Sequence, residues 1–233
     1  MYRAARLKFG EAACIVTVCM NTKPEWNHID HFDIDVHDFV CWNKTHMKFQ
    51  PKTFDIIACS PDCRYWSQAG ELASGWQSRR MVDGVRMIAA TFGVIDYMLK
   101  PSGSWSLENP VNTHVRSGVS TLREHLLHKL RRCRGPQTVC YCAYGLSENR
   151  SHYPMKPTWV FMSNGARLIK PRVCLQGSCP AKIPGTKAHW EVCGDLVHEG
   201  QHRVGAANMT DIPQELCLDI LQSLADAAIP YIY

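Results

Sequence analysis

The sequence predicts an α/β fold, with three layers built around a mostly parallel sheet, and three observations carry that expectation. Short, apolar, β-rich runs, 14–20 (CIVTVCM) and 54–59 (FDIIAC), alternate with segments of helical period. The longest such segment, 77–99, sets Met81, Val85, Ile88, Phe92, Ile95 and Leu99 at three-to-four spacing, which gives one apolar helix face. Predicted strands end in turns at 21–24 (NTKP), 60–62 (SPD) and 108–110 (ENP), the punctuation expected where strands hand over to helices around a sheet.

Taken in order, residues 2–12 suit a short helix and 14–20 the first strand. The polar, His- and Asp-rich stretch 28–39 reads as a connection, and 54–59 as the second strand. The helix 77–99 leads to a short strand at 105–107. Thr121 and Glu124 form a capping-box pair ahead of Leu122, Leu126, Leu127 and Leu130, which predicts another helix. Further strands are expected at 138–142 and 159–162. Residues 164–205 carry Gly, Pro, Cys and His without periodicity, and Pro213 opens a last helix with Leu216, Ile220 and Leu224 on one face. No internal repeat is visible.

Bulk properties bound the function. The chain of 233 residues suits one domain with a small appendage, and 45% hydrophobic with 20% charged residues describes an ordinary globular protein. A net charge of +5 is compatible with a polyanionic partner and decides nothing alone. No apolar run has the length of a membrane span. Arg3, Arg6 and Lys8 precede the apolar run at 14–20, but no small-residue cleavage site follows, so a signal peptide is rejected. Of twelve cysteines, Cys14, Cys19, Cys59, Cys140, Cys142 and Cys217 lie inside apolar runs, where a thiol acts as a small hydrophobe. An intracellular, reduced protein is expected.

The densest chemistry lies at 54–70 (FDIIACSPDCRYWSQAG), a strand ending in a Pro turn that presents Cys63. A second strand ends at Glu108-Asn109-Pro110. Residues just past the carboxyl ends of parallel strands converge on one crevice. A thiol and a carboxylate there suit nucleophilic attack on a ring that an acid holds and protonates.

Ser60-Pro61-Asp62-Cys63, with Ser67 four positions later, resembles the Pro-Cys nucleophile loop of DNA (cytosine-5) methyltransferases. Trp105 to Pro110 (WSLENP), Tyr144-Gly145 and Lys156-Pro157-Thr158 are similar to later motifs of its small phage and viral members, in the same order over residues 35–160. The resemblance implies a Rossmann-like methyltransferase fold, S-adenosylmethionine as cofactor and DNA as partner, in host cytoplasm or nucleus if the source is viral. It makes Cys63 the nucleophile and Glu108 its acid partner. Asn21, Asp35 and Pro61 fall to the cofactor, and Ser60, Arg64, Ser67, Asn109, Pro110, Lys156 and Thr158 to the substrate. Arg203 to Ala206 (RVGA), before Pro213, is similar to a degenerate last family motif.

The chain departs from the pattern in several places: Asn21 stands where the family has an acidic residue, and the Gln-x-Arg-x-Arg core of its late motif is absent. Asp62 stands where the family has proline, and a carboxylate beside a thiol disfavours the thiolate, while Arg64 pulls the other way. The Phe-x-Gly-x-Gly cofactor loop has no counterpart, so the chain reads as starting one strand late. Two other readings therefore stay open. One is an inactive or incomplete relative that binds nucleic acid or complements a partner chain supplying the first strand. The other is cysteine chemistry on free pyrimidine nucleotides.

Cys174, Cys179 and Cys193, with His189, His198 and His202, look metal-like, and Cys174, Cys179, Cys193 and His198 are taken as the expected zinc set. The organisation expected is a methyltransferase-like catalytic part at 1–163, a Cys/His-rich target-recognition-like segment at 164–205, and a helix at 206–233 returning to the catalytic part.

Overall fold

A computed structural model describes residues 1–11, 13–18, 31–61, 78–110, 136–144, 146–147, 150–151, 156–163, 165–174, 179, 181–183, 185–186, 189, 191–192, 202–203 and 212–228. In chain order these form α1 (Tyr2–Phe9), β1 (Thr17–Val18), β2 (His31–Phe32), α2 (Val36–His46), β3 (Phe54–Cys59) and α3 (Ser78–Met98). There follow β4 (Leu99–Pro110), β5 (Gln137–Cys140), a 3-10 turn (Tyr141–Ala143), β6 (Leu146–Ser147), β7 (Arg150–Ser151) and β8 (Pro157–Met162). The last elements are β9 (Glu191–Val192), β10 (His202–Arg203) and α4 (Gln214–Ala228).

The central sheet has the order β3-β4-β8-β5. Strands β3 and β4 are parallel, with Cys59 beside Leu107. Strand β8 runs antiparallel to β4 on one side and to β5 on the other, so β5 points the same way as β3 and β4. The fold is mixed α/β with a mostly parallel sheet, as the alternation predicted. Strand β1 pairs with β2 in parallel, as β9 does with β10.

Alternation along the strands explains how the sheet is covered. Ile57, Cys59, Trp105, Leu107, Trp159 and Phe161 pack with Ile88, Phe92 and Ile95 of α3. Their sequence neighbours Ile56, Ala58, Val160 and Met162 pack with Leu216, Ile220 and Leu224 of α4. Successive strand residues point to opposite faces, so the two helices cover opposite sides of the sheet. Helix α1 closes over α4 through Ala4 and Ala5 against Cys217 and Leu221.

The expected helix at 77–99 and strand at 54–59 are present. Strand β4 is longer than expected because Lys100, Ser102 and Gly103 carry no apolar alternation. Gly103 is required there: a Cβ would lie 2.8 Å from the Asp55 carbonyl oxygen and 2.7 Å from Leu99. The expected strand at 138–142 stops at Cys140, where the chain enters the 3-10 turn. The largest correction concerns 28–39, read as a connection. It contains β2 and the start of α2, whose N-cap is Asp35, with Asp35 Oδ1 accepting from the His37 amide at 2.9 Å. Asn43 closes the exit of α2 by bonding both the N–H and the C=O of Phe49, at 2.9 and 2.8 Å. The helix predicted near 121–130 lies outside the described residues.

Candidate active site and a cysteine–histidine cluster

The parallel pairing of β3 with β4 brings their carboxyl ends side by side, so Ser60 and Glu108, one residue past the Cys59–Leu107 pair, meet directly. Ser60 Oγ donates to Glu108 Oε2 at 2.6 Å. The other carboxylate oxygen, Oε1, accepts from the Tyr141 hydroxyl at 2.7 Å. Glu108 is only 3% exposed, and two hydroxyl donors offset much of the cost of burying a carboxylate. Tyr141 is also buried. Burial first, then the charge and hydrogen bond of Glu108, hold its pKa well above the usual phenolic value, so it remains a donor.

The antiparallel ladder of β4 and β8 delivers the third segment. Pro110 lies opposite Thr158, Asn109 opposite Trp159, and Glu108 opposite Val160. The Glu-Asn-Pro and Lys-Pro-Thr motifs, about fifty residues apart in sequence, are thus cross-strand neighbours. Lys156 Nζ lies 4.6 Å from the centre of the Tyr141 ring, a cation–π distance. Thr158 is fully buried. Asn109 is 6% exposed, and its side-chain nitrogen has no hydrogen-bond partner among the described residues. A buried amide donor in that state is available to a ligand.

Of the expected site residues, Ser60, Pro61, Glu108, Asn109, Pro110, Lys156 and Thr158 come to this edge of the sheet. Cys63, Arg64, Ser67 and Asn21 lie outside the described residues. Tyr141 was missed. Its only sequence signal is an aromatic residue where an apolar run (TVCYC) gives way to the Tyr144-Gly145 turn. For the expected cofactor residues, Asp35 spends one carboxylate oxygen capping α2, and Pro61 has no polar side-chain atom. With Asn21 outside the described residues, Asp35 is the one expected cofactor residue described with a polar side chain, so the described residues do not by themselves assemble a site for an adenosyl group.

A second convergence lies beyond β5. Segment 168–174 follows the strand: Gln137 bonds the N–H and C=O of Leu168 at 2.8 and 3.1 Å, and the Cys140 amide donates to the Arg172 carbonyl at 2.9 Å. Tyr144 and Arg172 secure the same junction, with the Arg172 amide donating to the Tyr144 hydroxyl at 3.3 Å and the guanidinium 4.7 Å from the ring centre. This pairing brings Cys174 to the turn after β5. There Cys142, Cys174, Cys179 and His189 place one ligand atom each within 4.8 Å of one another, a group that could hold a metal ion. Burial pushes the Cys142 thiol up, with the neighbouring Cys179 and Cys174 sulfurs adding to it. His189 is shifted down by burial and then by the Lys182 charge, which favours the neutral imidazole that ligates metals.

Cys174 and Cys179 were expected in a metal set. Cys142 and His189 complete the observed group, whereas the expected Cys193 and His198 lie outside the described residues. Cys142 was read as a core thiol because it sits in an apolar run; the Cys-x-Cys spacing just before a turn was the available signal. Among the described residues, no helix is long and apolar enough to cross a membrane. No protein-family model matches the chain, and no curated protein matches it.

Proposed function

We propose that this chain acts on cytosine in DNA in the manner of a DNA (cytosine-5) methyltransferase, on a Rossmann-like three-layer fold. The observation that carries the reading is Glu108, a buried carboxylate at a strand's carboxyl end, held by Ser60 and Tyr141 beside the Lys156–Thr158 segment. The opposite-face packing of α3 and α4 on a mostly parallel sheet supports the fold assignment.

The chemistry follows from what cytosine needs. Its ring is electron-poor, and carbon 5 becomes nucleophilic only after a thiolate adds to carbon 6. In that step the Cys63 sulfur forms a bond to carbon 6. The π pair of the carbon 5–carbon 6 bond shifts to carbon 4–carbon 5, the carbon 4–nitrogen 3 pair moves onto ring nitrogen 3, and that nitrogen takes a proton that Glu108 picks up from solvent as the base binds. A carboxylate offers about four lone-pair sites, so two protein hydroxyls leave room on Glu108 for the exocyclic amine. The base must leave the duplex stack to reach these groups. Methyl transfer from S-adenosylmethionine is the reaction the motif resemblance assigns to this pair.

A second reading is favoured by Asp62, whose carboxylate beside Cys63 disfavours the thiolate: a relative that binds nucleic acid without methyl transfer, alone or with a partner chain that completes the cofactor site. DNA tritiated at carbon 5 of cytosine separates the two, because an adduct carbon 5 exchanges its hydrogen with solvent whether or not a methyl group arrives. Wild-type protein is expected to release tritium to water and, with tritiated cofactor and unlabelled DNA, to label the DNA. Cys63→Ala abolishes both, and Glu108→Gln lowers both by roughly 100-fold, the size of a lost general acid. DNA binding without tritium release would overturn the first reading in favour of the second.

A further inference from the structure

We propose that Cys142, Cys174, Cys179 and His189 bind one zinc ion as a closed structural site, which fastens the stretches carrying Cys174, Cys179 and His189 to the end of β5 and fixes the turn that carries Tyr141.

The ligand geometry supports the metal. Zinc bonded to sulfur at about 2.3 Å and to imidazole nitrogen at about 2.0–2.1 Å, in a tetrahedron, spaces its donors at roughly 3.4–3.8 Å. The Cys142 and Cys179 sulfurs are 3.8 Å apart, at that spacing, Cys174 Sγ lies 3.3 Å from His189 Nε2, just inside it, and all four ligand atoms fall within 4.8 Å of one another. Three soft sulfurs and one imidazole match zinc rather than a hard cation. All four positions are filled by protein atoms, which describes a structural rather than a catalytic centre.

The need for a metal is local. Among the described residues, the buried apolar cluster here contains Cys140, Cys142, Cys179 and Ala181, with Cys174 against it. Such a small core gains folding energy from a site that crosslinks it. The ligands come from separate stretches. Cys142 belongs to the 3-10 turn, Cys174 follows the segment lying along β5, Cys179 opens a turn closed by the Lys182 amide at 3.1 Å, and His189 forms an isolated bridge with Lys182. A single ion therefore ties these four stretches together.

The site also reaches the active-site edge. Cys142 directly follows Tyr141, whose hydroxyl donates to Glu108 and whose amide donates to the Lys156 carbonyl at 3.2 Å. Fixing Cys142 fixes the backbone that sets this donor's direction. Tyr141 is thus a positioning residue for Glu108, and the ion acts on Glu108 only through that turn.

The test uses the full chain, purified under reducing conditions without chelator and assayed for zinc, then reloaded with cobalt. One zinc per chain and the intense visible bands of tetrahedral, thiolate-bound cobalt are expected. Cys142→Ser, Cys179→Ser and His189→Ala should each weaken zinc binding by more than the roughly 10–100-fold that loss of an outer-shell partner costs. Cys140→Ser, adjacent but outside the four, should keep the metal. Hydrogen exchange of wild-type protein guards against variants that fail to fold. On chelation, 137–144 should lose protection while α3 keeps it. Zinc-free reduced protein with no cobalt bands overturns the site. Metal kept in Cys142→Ser but lost in Cys193→Ser or His198→Ala overturns the ligand set, and unchanged protection at 137–144 overturns the link to Tyr141. None of these readouts involves DNA or a methyl donor, so they stand or fall apart from the cytosine reading.

Discussion

Single side chains at the carboxyl edge of the sheet are specified by their neighbours more than by their own type. Glu108 is legible in sequence as the acid after an apolar strand, yet what makes it a held carboxylate is the pair of hydroxyls from Ser60 and Tyr141. Ser60 was legible because it directly follows β3. Tyr141 was not, because its partner lies thirty-three positions away and only the β4-β8-β5 order brings them together. Cys59, next to Ser60, shows the opposite case, a thiol kept out of chemistry. It packs against the α3 side of the sheet, and burial pushes its pKa up to about 12. A folded pKa above the unfolded one favours the neutral form, so its contribution is complete below about pH 9 and is lost as pH rises from 9 toward 12. With an unfolded value near 9.0, this single group should cost on the order of 1 kcal/mol of stability at pH 10 relative to pH 8. Urea unfolding of wild type and Cys59→Ala at both pH values checks this: the variant, less stable at pH 8, should show the smaller alkaline loss. Equal losses would mean that the thiol ionises as freely folded as unfolded.

Helix α3 and strand β3 match their sequence expectations, the apolar runs at 14–20 and 138–142 form shorter described strands than expected (Thr17–Val18 and Gln137–Cys140), and elements shaped by polar or long-range constraints are not legible. Helix α3 and strand β3 carry their burial pattern in their own residues. Helix α2 does not, because its cap Asp35 and its closing residue Asn43 act through backbone groups, and a His- and Asp-rich start resembles a loop. The first half of β4 was hidden for a related reason. Its polar residues are placed by pairing with β3, which shifts register between Phe54 and Ile56. Gly103 permits that shift because the β3 backbone passes too close for any side chain. Gly103→Ala should therefore destabilise the protein by about 1–3 kcal/mol, the usual cost of overpacking, seen as a lower urea midpoint at unchanged slope. A neutral or stabilising result would mean that the two strands separate freely at this point. The fault would also reach function, because Glu108 lies five residues farther along the same strand.

For the molecule as a whole, the proposed action on DNA divides into two cases, engagement of the backbone alone and capture of a base as well. The net charge of +5 is compatible with phosphate contacts, which weaken steeply with salt whatever the sequence. Base capture adds a separate contribution. Unpairing and unstacking a cytosine costs a few kcal/mol, and a mismatched cytosine has already lost part of that stabilisation. If the edge formed by Ser60, Glu108, Tyr141 and Lys156 receives a flipped cytosine, mismatched DNA should bind more tightly than fully paired DNA. Relief of about 1.4 kcal/mol would raise affinity roughly tenfold. The phosphates are the same in both duplexes, so the affinity ratio should hold constant while both affinities fall with added salt. Fluorescence anisotropy with the two duplexes across a salt series measures both quantities at once, and Glu108→Ala should collapse the ratio toward one while leaving the salt slope intact. Equal affinity of wild type for paired and mismatched cytosine at every salt concentration would identify a backbone binder and remove the physical basis for chemistry on the base.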